Sequence, residues 1–475
     1  LLKQIQKHNS YQKALALERR QSIALYGLTV PQRAFFAAAI ANKKAPLLYV
    51  AENHLKAGEI RNLINALLPG SCCYMPPKEL LFSSRAVSPE NKFERINAFE
   101  KIQSKNARVL VICPETLMEY FQPTHGKLSF DVAVGETMEP QEMLRRLIGL
   151  GYERVDMVEG RGQCALRGDI LDVFPPNLPN PVRLDFFDRE VDAMRSFDVV
   201  SQRSDERLSS LTVIAAREYL LSDSERVAAA EKMEGMLSSA IDRRSAGGED
   251  IEGLVRLKDK SEELRERGTF SGFSLFAPLL TQGYQPLLKT LSFDRVIVDT
   301  PNNLQEKLND KLQTYLADLS SSLLSGEAIK EQEAVLASPE DVLDSLKDEA
   351  VILVQDILRG TLSLKPAAIS CQGKSVSQYA SRFQKLKEDI ERRQKDGYVI
   401  RLFSESESRC ERIQRSLESL HLLIDTTDDW DSHSKPVIAQ KAFPHGFLWE
   451  DAKIFLLGES DLYGHSLRRA KKKTT

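Results

Sequence analysis

Ser22-Ile23-Ala24-Leu25-Tyr26-Gly27-Leu28-Thr29-Val30-Pro31-Gln32-Arg33-Ala34 reads as a short apolar strand, a glycine turn and the start of a helix. Pro31 suits a first helical position, where its missing N–H is not needed and its φ is already helical. A phosphate-binding loop occupies this context, with the pattern G-x-x-x-x-G-K-[ST]. Its glycines let backbone N–H groups cradle phosphate, its lysine reaches the terminal phosphates and its hydroxyl holds Mg²⁺. Gly27 stands at the first glycine, but Gln32, Arg33 and Ala34 stand at the second glycine, the lysine and the hydroxyl. Pro31 removes one further donor. The segment therefore predicts a degenerate phosphate loop at Gly27, Gln32, Arg33 and Ala34, inactive in hydrolysis.

Working outward, strand and helix alternate over 1–128. Apolar runs at Pro46–Ala51 and Val109–Cys113 frame a helix at 54–68, and Glu115 opens another. Such alternation predicts a parallel sheet covered on both faces. The pattern changes at 129. A short helix, with Met143, Leu144, Leu147 and Ile148 on one face, precedes strand-like runs at 152–158, 163–174, 181–187 and 190–199. Residues 129–215 therefore read as an inserted α+β domain. The α/β pattern resumes over 216–324, with a strand at Arg295–Asp299 and a helix at 303–323. Residues 325–349 read as a polar linker, 350–465 as a separate small α/β domain, and 466–475 as a basic tail or linker.

The 475 residues carry a formal net charge of −3, with 28% charged and 42% hydrophobic residues. This is an ordinary globular balance and gives no basic signature of a dedicated nucleic-acid binder. The six cysteines form no CxxC pair and have no histidine at zinc-ligand spacing, so no metal, no cofactor and no disulfide framework is expected. No run is long enough to span a membrane, Leu1-Leu2-Lys3 opens no signal peptide, and a cytoplasmic setting fits. No Ser-His-Asp set, Cys-His pair or HExxH motif is present, so no catalytic residue is assigned. A second partial phosphate-loop match, Ala368 to Ser375, ends in Gly373-Lys374-Ser375, but Pro366 precedes it. It reads as a turn with Ser375 capping a helix.

Val182-Arg183-Leu184-Asp185-Phe186-Phe187 is the second informative run. Strand side chains alternate faces. Val182, Leu184 and Phe186 are expected inside, and Arg183, Asp185 and Phe187 outside. Alternation in Cys164-Ala165-Leu166-Arg167 puts Arg167 on the same outer face of a neighbouring strand. An Arg and a Phe displayed together are typical interface anchors. The alternative is equally open: a helix covers Phe187, and Arg183 pairs with an acid such as Asp185.

Gly151 to Asp156, Arg167-Gly168-Asp169-Ile170-Leu171-Asp172-Val173-Phe174-Pro175, Val182 to Asp188, Ser196-Phe197-Asp198 and Ser201-Gln202-Arg203 together resemble the UvrA-binding domain. That domain is shared by UvrB and the transcription-repair coupling factors. Weaker similarity covers Phe270–Leu280 and the strand ending Asp299-Thr300-Pro301, where Asp299 keeps one acid of a Mg²⁺-binding motif and Thr300 replaces the second. The degenerate loop, and the short passage from Cys72–Pro76 to a helix at Glu90–Ile102, which leaves little room for a DNA-probing hairpin, resemble the N-terminal module of the coupling factors. The unit at 350–465 and the basic end near Tyr463-Gly464 resemble the region C-terminal to that module in the same family.

The resemblance implies a RecA-like, UvrB-homology α/β domain carrying an inserted UvrA-binding domain. It implies no catalysis by this segment, which would recruit nucleotide excision repair to RNA polymerase stalled at DNA damage. UvrA is the implied direct partner, docking on Arg167, Arg183 and Phe187. The rest of the factor, including its ATP-driven DNA-translocating motor domains, is a second partner that the module packs on and restrains. RNA polymerase and DNA are reached through the full-length protein. The competing assignment is a UvrB-like damage-recognition ATPase or helicase, against which Arg33 and Ala34 argue.

Overall fold

The structure, a computed structural model, describes residues 1–42, 44–82, 89–122, 128–359, 362–431 and 435–463. The basic tail and the end of the segment before the Glu90–Ile102 helix lie outside the described residues. Strands β1 (Ser22–Tyr26), β2 (Leu47–Val50), β3 (Cys72–Met75) and β4 (Val109–Ile112) alternate with helices Val30–Ile40, His54–Leu67 and Pro89–Gln103. Every residue of β2 and β4 is buried, which a strand achieves only when both sheet faces are covered. Asn53 starts the second helix by accepting the Lys56 N–H on its side chain. The helix expected from Glu115 is a single 3₁₀ stretch, Pro114–Met118, leading to the short β5 (Tyr120–Phe121).

The chain then leaves the sheet. β6 (Ser129–Ala133) runs antiparallel to β13 (Ser210–Ile214), so the entrance and exit of the insertion are zipped together. Between them lie β7 (Glu153–Arg154), β8 (Gln163–Arg167), β9 (Ile170–Val173), β10 (Val182–Phe187), β11 (Glu190–Phe197) and β12 (Ser204–Leu208). They form a six-stranded sheet ordered β12-β11-β10-β9-β8-β7, antiparallel except for the β7–β8 pair. Its inner face presents Leu171, Val173, Val182, Leu184, Phe186, Val191 and Met194 to Met143, Leu144 and Leu147 of the helix Pro140–Gly149. Ile148, expected on that helical face, is exposed, because one step past Leu147 turns it about 100° out of the stripe.

On its return the chain builds two long helices, Asp223–Ala246 and Glu252–Arg267. It then adds β14 (Gln285–Pro286) beside β5, and β15 (Arg295–Asp299). After the helix Leu304–Leu324, the polar stretch expected as a linker over 325–349 is instead packed. Ala328, Ile329, Gln332, Val335, Leu336, Val342 and Leu346 are buried, and the Gln332 carbonyl accepts the Tyr315 hydroxyl at 2.8 Å. Composition misleads here because Glu331, Glu333 and Glu340 face outward while Val335, Val342 and Leu346 of the same short helical stretches, Lys330–Val335 and Pro339–Lys347, face the core. β16 (Val351–Gln355) and β17 (Ala367–Ser370) follow, and both belong to the first sheet. That sheet has seven strands ordered β17-β1-β16-β15-β2-β4-β3, all parallel.

The boundary expected at 350 is therefore misplaced, and the last sheet begins at β18 (Gly373–Ser375). Ser375 does not cap a helix; it pairs with Phe447 in a strand, and the next helix is Phe383–Lys395. β19 (Val399–Ser404), β20 (Asp425–Thr426), β21 (Val437–Gln440), β22 (Phe447–Trp449) and β23 (Ile454–Leu457) complete the sheet in the order β18-β22-β23-β19-β21-β20. This unit is not separate from the first. Phe35 and Phe36 meet Phe447 and Trp449 with ring centroids 5.4 and 6.5 Å apart, inside one continuous apolar core. Among the described residues no helix is long and apolar enough to cross a membrane.

An ionic knot fastens the insertion's exit to the body. Arg95 meets Glu119 at 2.8 Å and Glu218 at 2.6 Å, and Lys78 meets Glu218 at 3.3 Å. Burial pushes the Glu218 carboxyl up, but Arg95 and Lys78 outweigh it and hold the group at about 2, below its ordinary 4.5. A depressed carboxylate stabilises the fold above pH 4.5, and this contribution is lost as pH falls toward about 2. Glu218→Gln is expected to cost about 3 kcal/mol at pH near 7. In urea denaturation at several pH values, the deficit should narrow steadily below the ordinary glutamate range; a pH-independent deficit would contradict this assignment.

Candidate partner-binding face and the loop after the first strand

The outer face of the six-stranded sheet is built from a tight hairpin. Arg167 pairs with Ile170 around Gly168-Asp169, with Gly168 at φ +60°. This register sets Asp172 opposite Ala165 on one side and opposite Arg183 on the other. Directly opposed strand residues bring their side chains together. The Asp172 carboxylate, with 1% of its side chain exposed, accepts Arg183 Nε at 2.7 Å, Arg183 Nη2 at 2.9 Å and Arg167 Nη2 at 2.7 Å. The Arg183 guanidinium also lies 4.7 Å from the Phe197 ring centroid. Hydrogen bonding to Asp172 raises the Arg183 pKa further, so its charge is fixed.

Alternation thus places Arg167, Arg183 and Phe187 on the outer face, and the structure gathers the two arginines on one acid. That acid is Asp172; Asp185 lies 3.5 Å from Arg195 instead. Among the described residues no helix covers Phe187, which is 79% exposed at the end of β10. Arg167 is half exposed, whereas Arg183 has 19% of its side chain exposed. Asp172 and Phe197 were missed in reading the sequence. The two-residue turn Gly168-Asp169 fixes the hairpin register and could have set Asp172 on this face.

The loop after β1 has a different character. Gly27 sits at φ +79° and donates its N–H toward the carbonyls of Gln355 and Asp356, at 3.1 and 2.9 Å. Gln32 turns back to accept the Thr29 N–H at 2.9 Å and closes a capping box at the head of the helix. Ala34 is buried in the apolar core, where a hydroxyl would need a partner. Arg33 is buried too: Nη1 meets Asp299 Oδ1 at 2.6 Å, Nε donates to the Leu28 carbonyl at 3.0 Å, and Nη2 meets Asp356. Asp299 also accepts the hydroxyls of Tyr49 at 2.7 Å and Thr300 at 3.0 Å. Burial lifts the Asp299 carboxyl above its ordinary value, against the pull of Arg33.

The start of the last unit closes over this loop. Gly373 donates its N–H to the Gly27 carbonyl at 3.0 Å. A Cβ on Gly373 would lie 2.3 Å from Gln32 Oε1 and 2.5 Å from the Gly27 carbonyl oxygen, so only glycine fits. Lys374, the lysine of the second phosphate-loop match, leaves the loop and binds Glu450 at 2.9 Å. Among the described residues no group of three or more His, Cys, Asp or Glu side chains is arranged to hold a metal ion.

Residues 130–219 match the family described as the UvrB interaction domain. The match spans the zipped strands β6 and β13 and the whole outer face with Arg167, Asp172, Arg183 and Phe187. Over nearly its full length the chain is also similar to transcription-repair-coupling factors. It is 24% identical over 458 residues to that of Bacillus subtilis, covering 94% of this chain and 39% of that protein. It is 24% identical over 486 residues to that of Staphylococcus haemolyticus, covering 99% and 40%. The chain thus spans about two fifths of the length of these relatives. A solved structure of S. tokodaii Xpd4 covers 92% of the chain at a TM-score of 0.25 and 11% identity, too slight a likeness to bear on the fold.

Arg33→Ala leaves Asp299 buried without its cation and is expected to cost about 3–5 kcal/mol at neutral pH. The raised Asp299 carboxyl sets the sign. The folded state favours the protonated acid, so the penalty grows as pH rises above the ordinary 3.8 and shrinks on acidification toward it. Chemical denaturation of the variant at neutral pH and near pH 4 checks this. An equal loss at both would show that Asp299 does not carry the penalty.

Proposed function

We propose that this chain is the N-terminal recruiting portion of a bacterial transcription-repair coupling factor, and that its inserted domain binds UvrA. One observation carries the reading. The segment matching the UvrB interaction domain displays a bare phenylalanine, Phe187, at the end of the strand whose Arg183 is gathered with Arg167 on one buried acid. A large exposed aromatic beside ordered guanidinium groups is the usual composition of an interface anchor. In the whole protein, acting in the bacterial cytoplasm, this domain would bring UvrA to RNA polymerase stalled at damage. Polymerase binding and ATP-driven movement on DNA would reside in other domains.

The α/β body serves this reading as a scaffold derived from a phosphate-loop, RecA-like unit. In this reading Gly27 after β1 and Asp299 at the end of β15 correspond to the nucleotide and metal positions of such a unit, and the fact that Arg33 bonds to Asp299 and to the Leu28 carbonyl next to Gly27 supports their loss. The body is inferred to bind no nucleotide and to need no cofactor. The UvrB-like ATPase or helicase reading requires that space to be open.

Phe187→Ala should weaken UvrA binding by about 2 kcal/mol in a calorimetric titration. Its melting should change little, because exposed substitutions usually fall within about ±0.5 kcal/mol. Arg183→Ala should lose both binding and stability, since it strips Asp172 of its bidentate partner. Full UvrA binding by Phe187→Ala would move the contact elsewhere.

Titration of the chain with Mg-ATP should give no saturable heat at millimolar nucleotide. The triple variant Gln32→Gly, Arg33→Lys, Ala34→Ser should stay silent too, because Gly373 fills the loop. A micromolar site in the unsubstituted chain would favour the UvrB-like alternative.

A further inference from the structure

We propose that Asp172 is the positioning residue of the recruiting face, a buried carboxylate that presets both arginines for the partner without touching it. The inference rests on the recruiting reading above and goes beyond it by naming the group that holds the contact residues in place.

The geometry assigns the role. Asp172 is the third residue of β9 after its hairpin turn, and its side chain is 1% exposed. A partner therefore cannot reach it. Yet three guanidinium N–H groups from two different strands end on its two oxygens, at 2.7, 2.7 and 2.9 Å. Arg183 spends Nε and Nη2 on this carboxylate, and its guanidinium rests against the Phe197 ring. Both the direction and the roll of its plane are thus fixed. Arg167 contributes a single N–H and is half exposed. Long arginine side chains on an open sheet would otherwise sample many rotamers, and ordering them would be charged against binding. Here the ordering is done in the free protein.

The charge count supports the same role. Two arginines share one carboxylate, so these three groups together carry one net positive charge. A burial this deep is tolerable only because the carboxylate is fully hydrogen-bonded by charged donors. Asn at this position keeps the shape but loses the charge, and an amide nitrogen would face a guanidinium.

The test uses the whole chain and purified UvrA, with all affinities measured below the melting range of each variant. Asp172→Asn should weaken UvrA binding about tenfold or more, the scale expected when a buried charge partner is removed. In an Arg183→Ala background the same substitution should produce a clearly smaller loss, because Asp172 acts through that guanidinium. A merely structural residue would give the same fold-loss in both backgrounds. Asp172→Glu, which keeps the carboxylate, should recover part of the affinity, and it replaces Asp172→Asn throughout the cycle if that variant does not fold. The Arg183 Nε–H resonance should be protected from solvent exchange in the unsubstituted chain and lose protection in Asp172→Asn. Unchanged binding by Asp172→Asn, equal losses in the two backgrounds, or an unprotected Arg183 Nε–H would each overturn the proposal. Failure of the unsubstituted chain to bind UvrA would instead overturn the recruiting reading, and the role of Asp172 in it.

Discussion

The guanidinium of Arg33 is buried at the carboxyl ends of the parallel strands, and the body of the molecule is organised around it. Asp299 closes β15, Asp356 comes directly after β16, and Leu28 comes after the glycine that ends β1; Arg33 bonds to all three. In an open parallel sheet this crevice is where ligands bind. A side chain of the protein occupies it instead. The ion pair is tolerable so deep only because Tyr49 and Thr300 satisfy the remaining oxygen positions of Asp299. The result is a sheet end plugged by Arg33, with Asp356 at its exposed rim.

That closure has consequences for the rest of the chain. With the crevice filled, the turn between β17 and β18 can lie directly over Gly27 and Gln32, and a glycine at 373 is the condition for that approach. The last unit then packs Phe447 and Trp449 onto Phe35 and Phe36, the residues next after Arg33 and Ala34 in the same helix. One helix therefore carries both the internal cation and the apolar seam between two sheets. The insertion is held differently, by the β6–β13 zipper and by the Arg95, Lys78 and Glu218 knot. Its outer sheet face is partly covered, by Phe174 and Phe197, but leaves Phe187 bare and Arg167 half exposed.

Much of this was legible in local pattern. The buried runs of β2 and β4 announce themselves as unbroken apolar stretches, β15 by the apolar triplet Val296–Val298, and β10 by the alternation of Val182, Leu184 and Phe186 with Arg183, Asp185 and Phe187. The stretch 325–349 was not legible, because averaging over a half-buried helix hides Val342 and Leu346 among Ser, Asp and Glu. Nor was the assignment of β16 and β17 to the first sheet. Parallel neighbours are joined by long crossovers, so nothing near residue 351 states that it will lie beside residue 22.

Local sequence suffices for the periodicities, for the expectation that Arg167, Arg183 and Phe187 share one sheet face, and for the replacement of lysine and hydroxyl by Arg33 and Ala34. These depend only on strand alternation and on side-chain chemistry at fixed spacing. Tertiary structure alone decided that Asp172 rather than Asp185 receives the arginines, that Arg33 is spent on Asp299, and that Gly373 seals the loop. Arg33 and Asp299, and Gly373 and Gly27, are far apart along the chain, and even among the neighbouring strands β8, β9 and β10 it is the pairing register that selects Asp172 over Asp185. Hydrogen bonds and ion pairs act over about 3 Å, so only the folded register can say which partners meet.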